Sequence, residues 1–325
     1  MFMPPKTPSR LLLPVLFIFI HHCCIAGIIR VNINNPSSGN GSSWALACND
    51  LQAALTAANP GDEIWVVAGT YKPTATTDRT ISFNIHKNGL KVYGGFNGTE
   101  TIQSERNWKI NKTILSGDIG IIGDASDNSY NVVSIQSTAT SALLDGFSVQ
   151  SGNADPGSPN KTPLPYNQGG GVIIKAVNNS ITNAEINHCT FSQNFGVYGG
   201  GICSYTEGNG AVCQVNVFNS TLDNNSGLIG GGVAVASYSG GNAYIYMQNC
   251  ILNNNSSIRN AGSAVGGEAS GTLSSANIDV INCTLYNNPV PVLFNLIFGT
   301  SKSYMDVVNC IIWKDGAPYP GILSG

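Results

Sequence analysis

Ile186-Asn-His-Cys-Thr-Phe-Ser-Gln-Asn194 recurs four more times without internal gaps. Its counterparts are Val217-Phe-Asn-Ser-Thr-Leu-Asp-Asn-Asn225, Met247-Gln-Asn-Cys-Ile-Leu-Asn-Asn-Asn255, Val280-Ile-Asn-Cys-Thr-Leu-Tyr-Asn-Asn288 and Val307-Val-Asn-Cys-Ile-Ile-Trp-Lys-Asp315. A Cys/Ser column falls at 189, 220, 250, 283 and 310, so the spacings are 31, 30, 33 and 27. Glycine runs repeat in step: Gly169-Gly-Gly-Val172, Gly199-Gly-Gly-Ile202 and Gly230-Gly-Gly-Val233, with Gly266-Gly267 following more loosely. A fixed period of this size marks a solenoid, in which each repeat buries its apolar side only by stacking on its neighbours.

The strands of this solenoid are short and alternate. Cys189 and Phe191 share one face, and Leu222, Leu252, Leu285 and Ile312 continue the Phe191 column. Val172 with Ile174, and Val233 with Val235, alternate in the same way after the glycines. About 30 residues per turn suits a coil of three short strands and three turns, stacked in parallel at roughly 4.8 Å. Stacking places like on like. The Cys/Ser column then reads as small buried residues. An asparagine column at 194, 225, 255 and 288 can pair amide to amide between coils. The glycine runs permit a tight corner.

Composition agrees. Charged residues are 10% of the chain, against roughly 25% in ordinary globular proteins, because stacked like charges are costly. The formal net charge is −3 with no basic stripe, which excludes nucleic acid as a partner. No apolar run after residue 26 is long enough to cross a bilayer as a helix.

The N-terminus reads as an export signal. Lys6 and Arg10 precede an apolar Leu11–Ile20, and Cys24-Ile-Ala26 offers a cleavage site ahead of Gly27. The mature chain is expected to be secreted or held at the outer cell surface. Residues 27–325 form one domain: a cap at 27–60, irregular coils at 61–145 and regular repeats at 146–325. Asn49-Asp50 caps a short predicted helix over 51–58, stopped by Pro60. Export permits disulfides. Cys203 and Cys213, flanking a Gly-rich loop, are the candidate pair, with two buried free thiols as the alternative.

At this point the chain resembles the secreted right-handed parallel β-helix proteins of Bacteroidetes-type bacteria, of the pectin-lyase-like fold. The residues that carry the likeness include Gly41-Ser-Ser-Trp44, Asp50-Leu-Gln-Ala-Ala-Leu55, Pro60-Gly-Asp-Glu-Ile64, Val92-Tyr-Gly-Gly-Phe96, Asp145-Gly-Phe147 and Asn309-Cys-Ile-Ile-Trp313. Phe191-Ser-Gln-Asn194 is also similar to the polymorphic outer-membrane protein repeat. The resemblance implies an all-β, right-handed parallel β-helix whose short helix caps the N-terminal end. Such proteins usually continue into further coils, whereas this sequence stops at Gly325 just after a repeat. A fragment, or a partner chain covering that end, is therefore expected.

Fold does not assign function. From 146 to 325 there are five Lys/Arg (161, 175, 259, 302, 314) and eight Asp/Glu (155, 185, 207, 223, 268, 279, 306, 315), mostly alone in their columns. Asp279 and Asp306 share a column and read as a solvated pair of outward acids, with a catalytic dyad as the alternative. Lys175 and Tyr205 lie four residues after successive glycine runs, so they are expected as outward neighbours. His188 stands outward in a column otherwise Asn. These three are the catalytic candidates, against a reading as plain surface residues. No zinc, Walker or nucleophile-elbow motif occurs. No cofactor is expected beyond calcium, for which Asp118, Asp124, Asp127 and Asn128 supply oxygen ligands in a Gly-rich loop. A turn closed by capping acids is the alternative there. The expected role is structural, adhesive or glycan-binding, with a polysaccharide or cell-surface glycan as partner. A carbohydrate-active enzyme, in the form of a polysaccharide lyase, is the alternative.

Overall fold

The computed structural model describes residues 26–136, 138, 141–155, 157, 167–289 and 291–313. The expected export segment lies outside them except for Ala26, as do Lys161, Lys314 and Asp315.

The chain climbs one coil at a time. Ile181–Asn187, Thr190–Ser192, Phe195–Tyr198 and Ile202–Glu207 lie in four different sheets. Each pairs in parallel with its counterpart one coil on. The result is a parallel β-helix. Sheets of nine, eight and seven strands run its length, which gives the three strands per coil expected from the period. A fourth sheet of four short strands, from Asn153–Ala154 to Ser256–Ala261, is added in the middle coils. Those coils therefore carry four strands, because the chain between the Asn column and the glycine corner is long enough to pair once more.

One apolar core runs the length of the coil interior. Phe191, Leu222 and Leu252 are fully buried and Leu285 nearly so, stacked in register. Each contributes about 1.5–3 kcal/mol by leaving water. The Asn column forms the ladder its spacing implies. The Asn194 amide donates to Asn225 Oδ1 at 3.0 Å, Asn225 to Asn255 at 3.0 Å, and Asn255 to Asn288 at 3.2 Å. The same oxygens also accept the backbone N–H of the preceding coil's Asn.

The Cys/Ser column does more than fill space. Ser220 Oγ accepts Cys189 N–H at 3.1 Å, Cys283 Sγ accepts Cys250 N–H, and Cys310 Sγ accepts Cys283 N–H, both at 3.3 Å. The position needs a small side chain with an acceptor. All seven described cysteines are free thiols. Cys213 points inward with Val215 and Val217, while Cys203 points outward into a second apolar cluster with Ile173 and Ala234. The wall of the coil separates the candidate pair, so no disulfide forms.

Two outward columns adopt φ near +50°: His188, Asn219, Asn249, Asn282 and Asn309, then Gln193, Asn224, Asn254 and Asn287. Asparagine tolerates this left-handed region better than most residues. At the glycine corner the reason is close approach: a Cβ on Gly199 would sit 2.1 Å from the Ile202 carbonyl oxygen.

The helix is Leu51–Ala57, and Asp50 accepts the Gln52 N–H at 2.8 Å. Its buried Leu51, Ala54 and Leu55 join the main core. It packs on Ile28–Val31, Glu63–Val67 and Phe83–Ile85, strands of the first coils.

Candidate functional site

Five consecutive strands in the middle of the nine-stranded sheet define an outward face: Ala142–Asp145, Ile181–Asn187, Val212–Phe218, Asn242–Gln248 and Ser275–Ile281. In each, alternate residues turn into the core and the others outward; Thr182, Ala184 and Ile186 are buried while Asn183, Glu185 and Asn187 are half-exposed. Parallel register lines the outward residues into rows. One row reads Glu185, Asn216, Tyr246, Asp279 and Asp306. Another reads Asp145, Asn187, Phe218 and Gln248. Asp279 and Asp306 are thus neighbours as their spacing implied. Phe218 and Tyr246 make an edge-to-face pair with centroids 5.9 Å apart, and both stay partly exposed. The Tyr244 hydroxyl donates to Asp279. Desolvation, then the Asp279 carboxylate, pushes that phenol above its ordinary range.

At the N-terminal end of the face a loop from the irregular coils closes over the sheet. Gly94 and Gly95 let it approach: a Cβ on Gly95 would meet the Trp108 backbone at 2.6 Å. From this loop Arg106 reaches Asp145, Nη2 to Oδ1 at 2.8 Å, with both side chains buried. Arg106 Nη1 also donates to the Gly94 carbonyl at 2.9 Å. Its guanidinium lies 5.1 Å from the Tyr93 ring and 4.9 Å from the Trp108 ring. Burial, with Glu63 and Asp145 nearby, pushes the Tyr93 phenol up to about 12.

His188 stands at this junction. Its Nδ1 lies 3.2 Å from Asp145 Oδ1, and its ring is 4.2 Å from that of Trp108. The one histidine in a column of asparagines is therefore held by a carboxylate on one side and an indole on the other.

Lys175 and Tyr205 are elsewhere, on the outer side of the seven-stranded sheet. They are register partners as expected, with Lys175 Nζ 5.2 Å from the centre of the Tyr205 ring. The Tyr205 hydroxyl donates to Glu207 at 3.0 Å. Burial first, then the Glu207 charge, makes this phenol hold its proton more tightly. Two coils on, Glu268 accepts from the Tyr238 hydroxyl at 2.8 Å and from the Tyr198 hydroxyl at 3.2 Å. Burial raises the Glu268 carboxyl, against the two phenol hydrogen bonds. These rings are mostly buried and their hydroxyls engaged, so this corner presents a closed surface. His188 is not brought together with Lys175 or Tyr205.

The acidic loop folds on itself. Asp118 accepts the Gly123 N–H, Asp124 accepts Ser126 N–H at 2.9 Å, and Asp127 Oδ2 accepts Ile121 N–H at 2.8 Å. The Asn128 carbonyl oxygen takes Arg79 Nε–H at 2.7 Å. Asp127 Oδ1 and Asn128 Oδ1 are buried with no hydrogen-bond partner. Among the described residues no three His, Cys, Asp or Glu side chains converge as a metal-binding group.

Asp145, Arg106, Trp108 and Glu268 were not singled out by sequence. The first three belong to coils without a repeat, and the only signal was the run Asp145-Gly-Phe147. Glu268 follows the glycine pair that departs from the regular spacing.

No family model and no curated sequence matches the chain. Solved structures with a similar outline include Escherichia coli YbhC, 13% identical with a TM-score of 0.40 over 92% of this chain and 88% of that one. The pectate lyase Pel9A is 15% identical with a TM-score of 0.33, over 90% of this chain and 78% of that one. The Aspergillus niger pectin methylesterase is 14% identical with a TM-score of 0.32, over 98% and 93%. No residue role is carried over from likenesses at this level. The structure itself defines a parallel β-helix protein whose nine-stranded sheet presents an outward face of aromatic, amide and acidic side chains.

Proposed function

We propose that this protein is an exported β-helix that binds an extended glycan along the outward face of its nine-stranded sheet, outside the cell or at its surface. One observation carries the reading: half-exposed aromatic rings, Trp108 and the Phe218–Tyr246 pair, alternate along this face with Asn, Gln and carboxylate side chains. Rings cover the C–H faces of sugars, and planar amides and carboxylates take their hydroxyls. Stacked coils space these groups at about 4.8 Å, which suits a repeating polymer. A pull-down on insoluble polysaccharides tests it. Wild-type protein is retained, and the Phe218→Ala/Tyr246→Ala variant is retained at least about tenfold less. Equal retention of the two overturns the reading.

A second reading, a carbohydrate-active enzyme such as a polysaccharide lyase, draws on the Asp145–His188 contact, which orients a base at the edge of the face. It stands second because a lyase must also neutralise a uronate carboxylate. A basic side chain or a bound Ca²⁺ can do this, but the outward positions of the five central strands carry no Lys or Arg, and among the described residues no three His, Cys, Asp or Glu side chains converge to hold a metal. New ultraviolet absorbance from unsaturated products, lost in His188→Ala, would reverse the order.

A further inference from the structure

We infer that the glycan taken by this face carries no carboxylates: it is neutral or an amino sugar, and polyuronates are turned away. The inference rests on the glycan-binding reading above. The outward acids of the five central strands are Asp145, Glu185 and Asp279, and no outward Lys or Arg accompanies them. Asp145 is already paired with Arg106, whose buried guanidinium is spent on Asp145 and the Gly94 carbonyl. In their shared row Asp279 is the direct neighbour of Tyr246 on one side, and Glu185 lies two strands away on the other, beyond Asn216.

Within the strands of this sheet positive charge stands only toward the two ends, Arg30 in the first strand among them, and exposed Lys109 follows Trp108 on the loop at the N-terminal end. Lys91, at the N-terminal end, is paired with Glu63 at 3.4 Å. Lys302 begins the last strand, in the row of Asn242 and Ser275 and away from Phe218. A polyuronate laid along the five strands, about 20 Å of sheet, would set its carboxylates against Glu185 and Asp279 with no basic side chain of these strands to balance them. A neutral chain offers hydroxyl donors to the same carboxylates, and an amino sugar adds an ion pair. Specificity of this kind comes from repulsion of the wrong polymer as much as from contacts to the right one.

Affinity electrophoresis at pH 7 in gels containing hydroxyethyl cellulose, glycol chitosan or polygalacturonate separates the possibilities. Wild-type protein is expected to be retarded by the neutral or the amino-sugar polymer, with apparent affinity at least about tenfold above that for polygalacturonate. The variant Glu185→Gln/Asp279→Asn is expected to lose most of any preference for glycol chitosan over hydroxyethyl cellulose, and to gain on polygalacturonate. Tighter binding to polygalacturonate than to either other polymer overturns this inference and leaves the glycan reading standing. An unchanged polymer ranking in the double variant also overturns it, since the acids would then not set the choice. Retardation by none of the three polymers overturns both.

Discussion

At the scale of single residues, the interior columns are hydrogen-bonding positions as well as packing positions. Cys283 illustrates this, since its sulfur accepts the Cys250 N–H. Serine already fills the equivalent place at 220 and accepts the Cys189 N–H. Cys283→Ser is therefore expected to change stability by less than about 1 kcal/mol, whereas Cys283→Ala leaves a buried N–H unpaired and costs about 1–3 kcal/mol. Urea unfolding of the two variants measures the difference, and equal losses would contradict it. Asn225 is more costly to remove. Its amide joins Asn194, Asn255 and the Phe191 carbonyl. Asn225→Ala orphans several buried groups at about 1–3 kcal/mol each. A fall in unfolding free energy below about 1 kcal/mol would show that the ladder is ornamental. These columns were legible beforehand because a stacked interior repeats its residue types at the coil period. The second apolar cluster was not, because outward Cys203, Tyr205 and Tyr198 follow no single column.

At the scale of elements, the seven-stranded sheet holds a buried carboxyl that makes stability depend on pH. The Glu268 carboxyl is raised in the folded state, with burial as the leading cause. Sign follows from linkage. Between its ordinary value and its raised value the folded protein binds more protons than the unfolded chain, so this group's contribution is fully present at low pH. It is lost as pH rises through the folded value. Glu268→Gln, which keeps a partner for the Tyr198 and Tyr238 hydroxyls, is expected to flatten the decline in melting temperature as pH rises above the ordinary carboxylate range. An unchanged slope would place the titrating group elsewhere. The sequence placed the capping helix and the strand alternation within a residue or so, through Asp50, Pro60 and the spacing of apolar residues. The loop bearing Arg106 and Trp108 escaped it, because its contacts span some 40 residues of unrepeated sequence and are set by packing on Gly94, Gly95 and Gly146.

At the scale of the whole molecule, stacking explains both the composition and the location of the site. Charges are scarce because each would lie about 4.8 Å from its counterpart in the next coil. Departures from the column rule are therefore informative. His188 replaces Asn at a left-handed position, and it is also the residue that meets Asp145 and Trp108. The outward face that results is continuous across five coils, and nothing in the repeat itself required Phe218 and Tyr246 to stand there.

Hydroxyl-radical footprinting with mass spectrometry tests that face most directly, using chitin and chitosan hexasaccharides as probes. Oxidation of Trp108, Phe218 and Tyr246 is expected to fall on ligand addition, while Tyr286 and Trp313, exposed on the eight-stranded sheet, are unchanged. Protection confined to Tyr286 and Trp313, or no protection of any aromatic side chain, would contradict the account.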